Sequence, residues 1–359
     1  MTPHLLTPIT LRSVTARNRI AVSPMCQYCA TDGLGDDWHI QHLGARAMGG
    51  AGIVFAEATS VTADGRITPG CLGLYNDLQE AFLARVTKLI EYGGAVPAIQ
   101  LAHAGRKAGT VPPWDGARGL TEVEGAWETH APSAIPFGEG YATPTAFTAG
   151  EIARVIEAFA AGAARAARAG FRIAELHAAH GYLGHQFLSP IANRRSDAWG
   201  GDLAGRSRFL METVEAVRAV WPDELPLLVR LSCTDWMTGG LTIEDTLALA
   251  RRLKETGKVD LVDASSGGIL AKGPAIPSLH PGYQVPFAEA IRHQAGIATA
   301  AVGLITGAQH ADEIIANGRA DLVMVGRVVL ADPAWPLRAA KVLGGAIALP
   351  RQYGRATLA

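Results

Sequence analysis

Eight short apolar runs, spread along almost the whole chain, limit its fold more than any other feature: residues 19–22, 53–56, 96–101, 173–176, 227–231, 261–263, 299–302 and 322–325. None alternates polar with apolar as a strand with one wet face would, so each reads as a buried parallel strand. Between them lie amphipathic stretches. Leu210, Val214 and Val217 recur at helical spacing after Arg206, and Leu249 and Leu253 do so after Thr242. Residues 148–151 and 306–309 both fit a capping box, in which side chains satisfy the first free amides of a helix. Eight such units predict an α/β fold, a (β/α)8 TIM barrel. The alternative, a doubly wound sheet, lacks its dinucleotide fingerprint, since no G-x-G-x-x-G follows an early strand.

The barrel is expected to fill residues 1–349 as one domain. Residues 105–148 break the pattern: Pro112, Pro113, Pro132, Pro136 and Pro144 join several glycines and no helical period appears, so this is read as a lid inserted after strand 3. Residues 350–359 form a short tail, expected to extend from the barrel.

Composition then removes whole classes of function. With 32 Lys+Arg against 33 Asp+Glu, the formal charge of −1 offers no basic field for nucleic acid or anionic lipid. No run approaches the ~18 apolar residues of a membrane span. Four cysteines, Cys26, Cys29, Cys71 and Cys233, make no disulfide framework in 359 residues, and the first residues lack the charge and apolar core of a signal peptide. A cytoplasmic protein is expected.

In such barrels the reactive groups sit at the carboxyl ends of the strands. Residues collected there are Ser23, Pro24, Met25, Cys26 and Tyr28 after the first run, Glu57 and Ala58 after the second, Gln100, His103 and Lys107 on the third, and His177, His180 and Tyr182 after the fourth. Arg230 ends the fifth, Ser265 to Gly268 follow the sixth, Gly303 the seventh, and Gly326 and Arg327 the eighth. The last three loops read as a phosphate cradle, because glycines let amides approach oxygens and Arg327 supplies a fixed charge. Arg230 stands in an apolar strand, where a charge is costly unless something anionic meets it. His177 and His180 lack a third ligand for zinc, which leaves either a structural role or a pair of donors to a substrate oxygen, with Tyr182 a nearby acid. Cys26 and Cys29 match C-x-x-C, but no second pair follows, so no metal is expected.

The order of these motifs, from Ser23-Pro24-Met25-Cys26-Gln27-Tyr28 through Glu57-Ala58-Thr59, His103-Ala104-Gly105-Arg106-Lys107 and His177-Ala178-Ala179-His180-Gly181-Tyr182 to Val325-Gly326-Arg327, resembles the old yellow enzyme family. These are flavin-dependent ene-reductases, and Cys26, the His-x-x-His pair and the Gln352-Tyr353-Gly354-Arg355 tail resemble their thermophilic-like branch, close to bacterial NADPH dehydrogenases and xenobiotic reductases. The resemblance implies FMN held non-covalently at the mouth, with NADPH or NADH as reductant. It places Ser23, Pro24, Met25, Cys26, Ala58 and Gln100 along the isoalloxazine, Arg230 at its N1/O2 edge, and Gly303, Gly326 and Arg327 at its phosphate. His177 and His180 would bind the carbonyl oxygen of an enone, Tyr28 would shape that pocket, and Tyr182 would protonate the substrate carbon. Arg355 resembles a residue lent to a neighbouring subunit, which implies a homodimer or homotetramer. Val302 and Gly354 stand where some relatives carry tryptophan.

Two rival functions use the same residues. One is a barrel acting on a phosphorylated metabolite, with His177 and His180 in acid–base roles. The other is a flavin-binding protein without catalysis.

Overall fold

The computed structural model describes residues 2–273, 276 and 279–355. All eight runs are strands of one closed parallel barrel: β1 Ile20–Val22, β2 Ile53–Ser60, β3 Val96–Ala102, β4 Ile173–Ala178, β5 Leu227–Ser232, β6 Leu261–Ser265, β7 Ala298–Ala301 and β8 Leu322–Val325. They follow chain order around the ring, and β8 closes onto β1 through pairs such as Val325 with Val22. Every residue of β1, β2, β4, β5, β6 and β8 is buried, because one strand face fills the barrel and the other meets helices. Several strands outrun their apolar runs. β2 continues through Glu57 to Ser60 with a register shift between Ala56 and Ala58, β4 takes in His177, and β6 takes in Ser265.

Helices α1 Asp37–Met48, α2 Asp77–Tyr92, α3 Ala149–Arg168, α4 Leu183–Leu188, α5 Leu203–Arg218 and α6 Ile243–Glu255 are followed by α7 Val285–Ala290 and α8 Ala308–Ala316. Leu210, Val214 and Val217 on α5, and Leu249 and Leu253 on α6, are buried as their spacing requires. Thr148 caps α3 in the expected box: its amide donates to Glu151 Oε2 at 2.7 Å and its hydroxyl accepts from the Glu151 amide at 3.3 Å. The box expected at Thr306 does not form. Gly307 takes the cap position of α8 with no side-chain bond, so Gln309 falls one residue short of the place from which it could close a box on the cap. Two short helices, α9 Arg327–Ala331 and α10 Trp335–Val342, end the barrel.

A hairpin of Ile9–Leu11 and Val14–Ala16, unsuspected from sequence, lies at the opposite end from the mouth. Its turn residue Arg12 pairs with Asp260 at 2.6 Å, and the Ser13 amide donates to the Glu224 carbonyl, both partners lying ahead of strands. Residues 105–148 form an irregular insertion of three short 3-10 turns and a two-residue parallel pair, His130–Ala131 with Thr145–Ala146. Of the tail, the turn Arg351–Tyr353 rests on the barrel's outside, where Gln352 contacts the Tyr92 hydroxyl at the distal end of α2; residues 356–359 lie outside the described residues. Among the described residues no helix is long and apolar enough to cross a membrane.

Candidate active site

The floor of the mouth is a buried polar layer across four strands. Register sets Arg230 of β5 beside Asp263 of β6, with Nε 3.0 Å from Oδ2, held by charge without the alignment of a hydrogen bond. The anion that an arginine in an apolar strand requires is therefore supplied first by the neighbouring strand. Sequence reading missed Asp263, and with it Glu175 of β4, which accepts from Gln100 Nε2 at 2.7 Å. Burial raises the carboxyl of Glu175 to about 8, helped by the Asp263 charge, so at neutral pH it keeps its proton. The layer thus carries one cation and one anion.

One wall gathers His177, His180 and Tyr182. The His177 ring lies 5.2 Å from His180 and 5.0 Å from Tyr182, centroid to centroid, both edge-on. Desolvation, reinforced by Arg230, holds both imidazoles well below their usual pKa, so they are neutral, while burial pushes the Tyr182 phenol well above 10. His177 Nδ1 accepts the Ala179 amide at 3.3 Å, which leaves its proton on Nε2. His180 Nε2 is already engaged with Ser265 Oγ at 2.6 Å, and Nδ1 has no partner among the described residues. Its backbone stands at φ +58°, fixed by close loop packing: a Cβ on Gly181 would sit 2.0 Å from the Gly268 carbonyl, and one on Gly268 2.8 Å from His180 Cα. Gly268, read from sequence as part of a phosphate cradle, serves this contact, while Gly267 lies against Trp236 and of this loop Ser265 reaches the cavity beside Gly303.

Lys107 was placed on the rim by sequence but given no role there. Its Nζ donates to the His180 carbonyl at 2.8 Å and stands 4.4 Å from the Tyr182 ring and 4.5 Å from that of Phe137. Desolvation lowers its pKa to about 7, with Arg106 adding to the fall. Phe137 belongs to the insertion, and so does Trp114, edge-on to Tyr28 at 5.5 Å. The insertion therefore reaches the mouth from two sides.

Beside this wall lie the residues after β1, with Cys26 and Tyr28 packed on the same cluster as Tyr182. Ser23 Oγ is buried with no partner among the described residues, and Cys26 is half-buried beside Ala58. Tyr28, at φ +56°, is pressed against Gly70, where a Cβ would meet its carbonyl oxygen at 2.4 Å. Beneath them the Gln27 amide donates to buried Glu57 at 2.9 Å. Cys29 does not join Cys26: it packs on His39, with Sγ 3.8 Å from Nε2.

Gly303, Gly326 and Arg327 meet as expected, lining a cavity of about 200 Å³ with Ser265, Gln284 and Thr306. Gly303 adopts φ +126°, and a Cβ there would stand 3.0 Å from Gln284 Nε2. Gln284 knits the loops together, accepting from Ser266 Oγ at 2.6 Å and donating to the Val302 carbonyl at 3.1 Å. No motif in the sequence singled it out. Arg355, by contrast, is exposed on the tail and outside its own chain's mouth.

A phosphate-bearing planar cofactor fits this mouth. The glycine-lined cavity suits the phosphate, while the partnerless Ser23 Oγ and the unaligned Arg230 Nε mark the face where polar ring edges would be met. Fold and mouth together define the class, a TIM-barrel flavin oxidoreductase. Residues 4–344 match the NADH:flavin oxidoreductase / NADH oxidase family, and the chain belongs to it. It is 48% identical to an NADPH dehydrogenase of Geobacillus thermodenitrificans over 99% of both chains, and 46% identical to one of Listeria innocua over 98% of both. Morphinone reductase superposes with a TM-score of 0.79 at 27% identity, covering 97% of this chain and 91% of that one. A structure of morphinone reductase with tetrahydroNAD gives 0.78 at 28%, covering 97% and 93%. The chain is thus an FMN-dependent, nicotinamide-linked enzyme of old yellow enzyme type, and the phosphorylated-metabolite and non-catalytic readings fall away.

Proposed function

We propose that the enzyme reduces the activated C=C bond of α,β-unsaturated carbonyl compounds, with NADPH or NADH as the source of electrons. The observation that carries this reading is the wall of neutral donors: two imidazoles, a phenol that stays protonated and a lysine poised near neutrality, all on one side of the mouth. His177 Nε2–H and a ring N–H of His180 hold the carbonyl oxygen and polarise the alkene. As negative charge develops on that oxygen, preorganised donors stabilise it more than they stabilise the substrate. Tyr182 gives its proton to the α-carbon, and the nearby Lys107 charge eases the loss by favouring phenolate.

FMN, when bound, supplies the hydride. Ser23, Pro24, Met25, Cys26, Ala58 and Gln100 would line its ring, Arg230 would face the edge that gains charge, and Gly303, Gly326 and Arg327 would hold its phosphate. The insertion carrying Trp114 and Phe137 serves as a lid over the substrate, beside Tyr28. Arg355 completes the mouth of a neighbouring subunit, in a dimer or tetramer.

Tyr182→Phe separates the two half-reactions. Bleaching of the flavin by NADPH should stay within about twofold of wild type, while recolouring by cyclohexenone should slow by roughly 10²-fold or more, the usual worth of a positioned general acid. An equal loss in both would remove Tyr182 from proton transfer.

A further inference from the structure

The mouth holds two thiols that the hydride chemistry does not require. Spacing alone pairs Cys26 with Cys29, but the fold directs Cys29 to His39 and brings Cys26 to Cys71, 45 residues further along. Two loops run side by side here, joined by the Ala30 amide on the Gly70 carbonyl and the Gly73 amide on the Gly33 carbonyl, each at 2.9 Å. Cys26 packs against the small apolar cluster that holds Cys71 with Ala58, Ile67 and Ala102, which brings the two thiols close enough to interact. Both cysteines are reduced, Cys26 half-buried toward the mouth and Cys71 behind it.

Cys71 is also placed to carry negative charge. Its sulfur accepts the Thr68 amide at 3.4 Å and lies 3.5 Å from the Thr68 hydroxyl. We propose that Cys26 and Cys71 form a dithiol site that a hydroperoxide converts to a disulfide. Hydrogen bonds to Cys71 lower its pKa to about 7, while the same contact raises that of Cys26, as expected where Cys26 is the donor and Cys71 the acceptor.

The steps balance. The Cys26 sulfur attacks one peroxide oxygen as its proton passes to the Cys71 thiolate; the O–O bond breaks, leaving a sulfenic acid on Cys26 and releasing hydroxide. That hydroxide takes the proton from Cys71, forming water. The Cys71 sulfur then attacks the Cys26 sulfur, the S–S bond forms, and hydroxide leaves. Counted from two neutral thiols, one hydrogen peroxide is reduced, two sulfurs are oxidised, and two waters form, an organic hydroperoxide giving its alcohol and one water instead. Cys71 acts first as base and then as resolving thiol, so the site needs neither an enone nor electrons from NADPH.

The test treats the holoenzyme with one equivalent of hydrogen peroxide and maps its thiols after denaturation. Trypsin leaves Cys26 and Cys29 on residues 20–46 and Cys71 on residues 67–85, so the proposed bond joins two peptides with a loss of about 2 Da. Free thiols should fall from four to two, and Cys29→Ser should keep the joined peptides. Cys71→Ser should lose them, and Cys26, with neither base nor resolving thiol, should stay unbridged and gain at most one oxygen, about 16 Da, from one equivalent of peroxide. Four surviving thiols, a bridge within residues 20–46, or direct sulfinic acid at Cys26 of the wild type would each overturn the proposal, and none of these readings depends on turnover.

Discussion

Removing the Arg230 charge separates its two duties. In Arg230→Leu, Asp263 remains fully buried on β6 with its cation gone, and Glu175 already holds a proton at pH 7. Breaking one side of a buried pair costs about 3–5 kcal/mol, because the other charge is left unmatched. An unfolding entropy of ~2.1 cal/mol/K per residue gives roughly 0.75 kcal/mol/K for a chain of 359, so the apoprotein should melt about 4–7 °C lower. Arg230→Leu with Asp263→Leu leaves no charge in that layer at pH 7 and should return most of the loss. FMN affinity should not return with it. A hydrogen bond from a charged group to the flavin edge is worth about 1.5–3 kcal/mol, a fall of roughly ten- to a hundredfold in both variants. Scanning calorimetry of apoprotein and fluorescence titration with FMN read the two effects apart. A double variant as unstable as the single one would refute the ion-pair argument, and unchanged FMN affinity in either would leave Arg230 a structural residue.

Two further substitutions probe the walls. With its pKa near 7, Lys107 is charged at pH 6 and mostly neutral at pH 8, so a phenol already ionised at pH 6 should bind roughly tenfold more weakly across that range, and Lys107→Met should abolish the dependence; an identical slope in the variant would exclude the lysine. The sign for stability is opposite. Burial lowers this lysine's proton affinity from 10.5, so the folded form binds fewer protons between about 7 and 10.5, and wild type should gain stability relative to Lys107→Met as pH rises through that window. Gly303→Ala forces a side chain onto φ +126°, 3.0 Å from Gln284 Nε2, at a cost of about 1–3 kcal/mol, and should shed FMN on dialysis; full retention would place the phosphate elsewhere.

The barrel was legible because a parallel strand buried on both faces leaves an uninterrupted apolar run, and because Thr148 with Glu151 writes a helix start in four residues. Register left no such trace. Nothing local to Arg230 names Asp263, which lies 33 positions away and becomes its neighbour only when β5 and β6 align. The same holds for Gln284, which acts by bridging loops, and for Cys71, whose partner arrives from another strand end. Lys107 was visible on the rim, but its desolvation depends on Phe137 folding over it from the insertion. Gly268 misled because a glycine that admits a phosphate and one that admits a neighbouring backbone look alike in a sequence.

The most direct measurement is an anaerobic spectrum of the purified enzyme through one cycle. We expect a flavin band near ~450 nm that one equivalent of NADPH bleaches and one equivalent of cyclohexenone restores, with cyclohexanone as the product. A colourless protein, or a bleached flavin that dioxygen restores but the enone does not, would contradict the assignment of this mouth.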